Sequence, residues 1–304
     1  MKKILSIDGG GIKGIFAASF LTEIEEKNQI RICDYFDLIA GTSTGGIIAA
    51  GLACGIPAKK ILQIYIDKGM DIFPKQRRFA VFRTKYDSKV LENELSDVFK
   101  DKCIKTCLTR LLIPAFNISE NKTRVFKTPH TPDLYYDKNL KLVDCILATT
   151  AAPLYFKPHS MDGGVFIDGG VGANNPALIA LIEGISRLNW SLDDISMLSI
   201  AGVSELGPNE GKEKMGLIDA LKIQKSFMSA ESQYAHNICN ILIDPPNYFR
   251  IENMVQQGRF GLDRATPQSM TELKNLGEST AMRHMEQIKN TFLNEKIKKV
   301  DLYI

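Results

Sequence analysis

Phe36-Asp37-Leu38-Ile39-Ala40-Gly41-Thr42-Ser43-Thr44-Gly45-Gly46-Ile47-Ile48-Ala49-Ala50 joins two apolar runs through a turn built only from glycine, threonine and serine. Residues 36–40 are few and mostly apolar, which predicts a buried strand. Residues 47–54 are small and apolar, stop at Gly55 and are followed by Pro57, which predicts a helix with a marked end. Between them, Gly41-Thr42-Ser43-Thr44-Gly45 matches G-x-S-x-G. Between a strand and a helix, this motif places a serine at the tip of a sharp turn, and Gly41 and Gly45 keep neighbouring backbone clear of it. The helix that follows turns its positive N-terminal end toward the same point. A bare G-x-S-x-G is often only a turn. The flanking elements are what mark Ser43 as a nucleophile.

Upstream, residues 4–7 read as a strand and residues 15–26 as a helix with Phe16, Phe20 and Ile24 on one face. The loop between them is Asp8-Gly9-Gly10-Gly11-Ile12-Lys13-Gly14. Gly9, Gly11 and Gly14 satisfy the G-x-G-x-x-G of a dinucleotide-binding oxidoreductase. The same loop, equally, offers bare backbone N–H groups to an oxyanion. A ribose site needs an acidic residue at the end of the second strand, and that end carries the Ser43 turn instead. An oxyanion hole accounts for the glycine loop and the serine sharing one sheet edge. Downstream, a short strand at 165–167 delivers Asp168 into the turn Gly169-Gly170, within reach of such a serine. Asp162-Gly163-Gly164 precedes that strand and lacks the Asn174-Asn175-Pro176 that follows Asp168. Asp-Gly-Gly alone is usually just a turn.

Short apolar runs alternating with amphipathic stretches predict an α/β fold, with strands also at 111–117, 124–128 and 197–200. Helices are expected at 58–68 and 143–149. The C-terminal third reads as more helical, with long helices at 217–242 and 268–293. The expectation is one domain over 1–304, its motifs within about 3–205 and a helical part over about 206–304.

The three motifs, in this order, resemble those of the patatin-like phospholipases, with their D-G-G-G-x-[KR]-G loop, G-x-S-x-G and later D-G-[GA]. The likeness runs on through Ala148-Thr149-Thr150-Ala151-Ala152-Pro153-Leu154-Tyr155-Phe156. It implies a three-layer α/β/α fold with a mainly parallel central sheet, and a Ser–Asp dyad without histidine. In it Ser43 is the nucleophile, Asp168 the base and the Gly9, Gly10 and Gly11 amides the oxyanion donors. Lys13 stands at the family's basic position. The substrate implied is a membrane phospholipid. Short bacterial members include antiphage effectors switched on by a cyclic nucleotide, and the size of this chain resembles theirs, though no nucleotide motif stands in it.

The balance of charges fits this reading: 38 basic against 35 acidic residues over 304 positions argue against a nucleic-acid polymer as partner. No cofactor is expected: Cys103 and Cys107 are followed by no zinc-spaced pair, and no calcium loop is present. The apolar run after Met1-Lys2-Lys3 is broken by Gly9, and no stretch reaches membrane-spanning length, so a cytoplasmic protein is expected, with contact at the inner membrane open to it. Four histidines occur, of which His159 lies nearest Asp168 in sequence. An ordinary aspartate is a weak base at pH 7, so Asp168 needs partial burial to raise its pKa. Residues 71–88 interleave Lys75, Arg77, Arg78, Arg83 and Lys85 with Phe73, Phe79, Phe82 and Tyr86. That mix suits either an anionic lipid surface or a loop with its rings turned inward. A catalytically silent lipid-binding module stays open beside the hydrolase and the oxidoreductase.

Overall fold

The computed structural model describes residues 1–74, 84–206, 217–256 and 258–304. In chain order the elements begin with β1 (Lys2–Ile7), α1 (Gly14–Asn28), β2 (Leu38–Gly41), α2 (Thr44–Ala53), α3 (Ala58–Ile72) and α4 (Lys89–Phe99). They continue with β3 (Arg110–Asn117), β4 (Lys122–Lys127), α5 (Leu142–Thr150), β5 (His159–Met161), β6 (Gly164–Ile167) and α6 (Gly170–Ala173). The remainder is α7 (Ala177–Ser186), β7 (Ile195–Leu206), α8 (Leu217–Leu242), β8 (Tyr248–Gln256) and α9 (Pro267–Phe292).

The sheet order is β5-β6-β3-β2-β1-β7-β8, with β4 paired to β3 off this path. From β3 to β8 every neighbour is parallel, and β4, β5 and β6 pair antiparallel. Strands covered on both faces read as unbroken apolar runs. Ile4, Leu5, Ile7, Leu38, Ile39 and Ala40 are accordingly all fully buried. Alternation divides them between two cores. Leu5, Ile7 and Ile39 meet residues of α1, α2, α3, α5 and α9, whereas Ile4, Leu38 and Ala40 meet Ala177, Ala180 and Leu181 of α7 and Cys239 of α8. This is a three-layer α/β/α arrangement around a mainly parallel sheet. Phe16 and Phe20 anchor α1, stacked with ring centroids 6.4 Å apart, and burying each such ring stabilises the fold by about 1.5–3 kcal/mol.

The parallel register sets up the site. Ile7 lies opposite Gly41, so the loops leaving β1 and β2 emerge side by side, where ligands of open parallel sheets gather. β6 runs antiparallel to β3 with Ile167 opposite Phe116, which carries Asp168 to the level of Ala115 and Gly169 against the Pro114 carbonyl, beside the Ser43 turn.

The C-terminal part carries the two expected long helices, α8 and α9. It also holds an unexpected strand: β8 extends the sheet parallel to β7 over nine residues. Its buried positions Tyr248, Ile251 and Val255 are interrupted by Arg250 and Glu252, which hides a strand period.

Candidate active site

Ser43 sits between β2 and α2 with φ 53° and ψ −124°, a backbone conformation a non-glycine residue adopts only when its surroundings impose it. Gly41 makes the turn possible, because a Cβ there would lie 2.0 Å from the Gly45 carbonyl oxygen. The Ser43 hydroxyl donates to Asp168 Oδ2 at 2.6 Å, and the Gly170 N–H donates to Asp168 Oδ1 at 2.7 Å. Ser43 and Asp168 are 8% and 4% exposed. Burial raises the Asp168 pKa to about 6, and the two hydrogen bonds, which favour the carboxylate, moderate the rise.

The end of α5 holds both halves of this pair. Thr149 Oγ1 accepts from the Ser43 N–H at 2.9 Å and donates to the Pro114 carbonyl at 2.5 Å. Asp168 N–H donates to Ala151 O, and Gly169 N–H to Thr149 O. Thr149 therefore positions the serine turn, a role invisible in sequence because the pairing spans 106 residues.

The glycine loop lies opposite. Gly11 has φ +58°, and a Cβ there would lie 2.2 Å from the Leu262 carbonyl oxygen, which itself accepts from Ile12 N–H at 2.8 Å. Gly10 and Gly11 line the cavity in front of Ser43. Gly9 does not match its expected role as a donor: its N–H is already donated to the Asn174 carbonyl at 3.0 Å. Lys13 Nζ donates to Val203 O at 2.9 Å, so it ties the loop to β7. The cavity measures about 90 Å³, and Ile47, Ile72, Leu91, Phe156, Met228 and Leu262 give it apolar walls.

No histidine enters the site. His159 meets Asp144 at 3.3 Å, His130 meets Glu183 at 3.1 Å, His236 meets the Tyr248 hydroxyl at 2.9 Å, and His284 lies edge-on to Phe249. Of the basic and aromatic stretch, Lys75, Arg77, Arg78, Phe79, Phe82 and Arg83 lie outside the described residues. Phe73 and Tyr86 turn inward, edge to face at 5.5 Å, and Lys85 pairs with Asp263.

Arg250, inside β8, carries no local signal in the sequence. From β8 its guanidinium reaches Asp8 Oδ2 at 2.8 Å and Ser199 Oγ at 2.7 Å, and Asp8 immediately precedes the glycine loop. Burial raises the Asp8 pKa to about 6 against the pull of Arg250. Burial likewise works against the Arg250 charge, but Asp8 more than offsets it and the guanidinium stays charged. Removing one partner of a buried pair typically costs about 3–5 kcal/mol. Arg250→Met is expected to lose about that much stability and at least about tenfold in kcat as the loop loosens. Asp8→Asn in the same chain should restore part of both. Thermal unfolding and ester turnover check this, and a folded Arg250→Met with unchanged kcat and Tm would contradict it.

A serine hydroxyl bonded to a buried carboxylate, in an apolar cavity that Gly10 and Gly11 also line, is an arrangement suited to acyl transfer by a serine hydrolase. The family model described as patatin-like phospholipase matches residues 5–181, and the chain belongs to that family of lipid acyl hydrolases. It is 34% identical over 320 residues to a cGAMP-activated phospholipase of Vibrio cholerae, covering 92% of this chain and 90% of that protein. It is 40% identical over 222 residues to a cGAMP-activated phospholipase of Escherichia coli, covering 67% of this chain and 62% of that protein. Among solved structures, VipD of Legionella pneumophila shares the fold, with a TM-score of 0.52 at 13% identity over 94% of this chain and 67% of that one. The dinucleotide-binding oxidoreductase and the silent lipid-binding module are not favoured.

Proposed function

We propose that the protein hydrolyses fatty-acyl esters of membrane phospholipids, with Ser43 as nucleophile and Asp168 as general base. The observation that carries this reading is the 2.6 Å bond from the Ser43 hydroxyl to a buried Asp168. Ser43 Oγ attacks the ester carbonyl as its proton passes to Asp168 Oδ2. The carbonyl oxygen becomes an oxyanion facing the Gly10 and Gly11 amides. Collapse expels the alcohol, which takes the proton back from Asp168 and leaves an acyl-serine. Water then attacks the acyl-serine as Asp168 takes its proton, and that proton passes to Ser43 Oγ as the fatty acid leaves. The apolar walls suit an acyl chain.

Among the described residues no helix is long and apolar enough to cross a membrane, and the enzyme is taken to meet the inner membrane from its surface. The names of the relatives support a second element: activation by a cyclic dinucleotide, as in an antiphage effector. The test is product analysis on mixed phospholipid vesicles with and without cGAMP. Free fatty acid and lysophospholipid are expected, rising several-fold on addition of cGAMP. No fatty acid under either condition would overturn the hydrolase reading, and full hydrolysis without cGAMP would overturn the activation alone.

A further inference from the structure

A second cavity, of about 550 Å³, opens at the other end of the sheet. Cys33 and Asp34, before β2, and Lys105 to Leu108, before β3, form one side, and the segment from Lys296 to Ile304 forms the other. Ser43 follows β2, so the strands separate this cavity from the catalytic one. Its size falls in the range of about 300–1,000 Å³ typical of small-molecule sites.

Its chemistry is the reverse of that of the catalytic cavity. Among its described lining residues are Lys105, Lys296 and Lys299, against the single carboxylate of Asp34. That carboxylate is already matched by Lys296, at 3.2 Å. Leu108 and Ile304, 58% and 74% exposed, add apolar surface at the rim. The catalytic cavity has no lysine or arginine among its described lining residues and holds the Asp168 carboxylate. A ligand with two phosphodiester charges and two flat bases finds no cation among those residues. The second cavity offers it cations for the charges and aliphatic groups for the bases.

The wall made by residues 296–304 is tied to Asp34, and the two residues that lead into it are tied to the strand that carries the glycine loop. Ile297 N–H donates to Asp34 O at 2.8 Å. Lys3 Nζ, on β1, donates to Asn294 Oδ1 at 2.8 Å and to Glu295 O at 2.7 Å. β1 runs from Lys3 directly to Asp8 and the amides that face the oxyanion. A ligand that reorders this wall acts on the strand that ends in the catalytic loop.

We infer that this cavity, between the starts of β2 and β3 and the segment 296–304, is the binding site for the cyclic dinucleotide activator. The inference rests on the activation reading above, to which it adds the place. Binding of cGAMP is measured by titration calorimetry, alongside cGAMP-dependent fatty-acid release and fluorophosphonate labelling. The chains compared are the wild type, Lys105→Glu/Lys299→Glu and the milder Lys105→Gln/Lys299→Gln. Removing one charge-assisted hydrogen bond to a phosphate weakens affinity roughly tenfold. The Kd of the doubly reversed chain should rise by about a hundredfold and its activation should disappear, with the labelling rate of unactivated protein unchanged. The glutamine pair should show a smaller rise.

Wild-type Kd and activation in both variants would overturn the site while leaving the activation reading intact. Failure of the wild type to bind or respond to cGAMP would overturn both. Binding of phosphatidylglycerol vesicles, but not of cGAMP, through the same lysines would assign the cavity to a lipid headgroup and overturn the nucleotide assignment.

Discussion

Ser43→Ala is expected to lose at least about 10⁴-fold in ester turnover, in line with the loss of nucleophiles that act as a unit with their base. The fold should survive. The hydroxyl's bond is to Asp168, and the backbone hydrogen bonds that shape the turn, from Ser43 N–H to Thr149 and from Gly46 N–H to Ser43 O, do not involve the side chain. The same variant should not react with a fluorophosphonate. Circular dichroism and turnover on a phospholipid or a chromogenic ester check both halves, and a folded Ser43→Ala with wild-type turnover would remove the nucleophile from this account.

Asp168→Asn should be almost as damaging, with a fall of roughly 10³–10⁴-fold, because the amide keeps the hydrogen-bond geometry but takes no proton. Stability should move the opposite way. Burial raises the pKa of this carboxyl from 3.8 to about 6 in the folded protein. The stabilisation that comes with its protonated form is therefore fully present below about pH 3.8 and lost as the pH rises through about 6. At pH 7–8 the native enzyme carries a buried charge that Asn does not. The variant should be more stable there by on the order of 1–3 kcal/mol, and the difference should vanish near pH 4. Activity of the native enzyme follows the ionised form and should fall as the pH drops through about 6. Denaturant titrations of both chains at pH 4 and pH 7.5 test the stability effect. Equal stability at both pH values would show that Asp168 is not held as a costly ionised base.

The first two strand–turn–helix units were legible because local signals agree there. Apolar runs give β1 and β2, glycines give the turns, and Gly55 and Pro57 mark the end of the second helix. α9 was legible for a similar reason: Thr266 caps it and Pro267 opens it, within a residue or two of the expected bounds. β8 was not, because the residues that interrupt its apolar period, Arg250 and Glu252, are explained only by their partners across the molecule. The Arg250–Asp8 pair joins positions 242 residues apart, and nothing local announces it. For the same reason the sequence offered three glycine amides as equivalent donors. Only the packing of Asn174 against the loop assigns the Gly9 N–H to another acceptor and leaves Gly10 and Gly11 facing the cavity.

The most direct measurement is to inactivate the protein with a fluorophosphonate and map the adduct by peptide mass spectrometry. One modified residue is expected, Ser43, with labelling that slows as the pH is lowered through about 6, where Asp168 takes up its proton. An adduct on any other side chain, with Ser43 unmodified in the inactivated enzyme, would contradict this expectation.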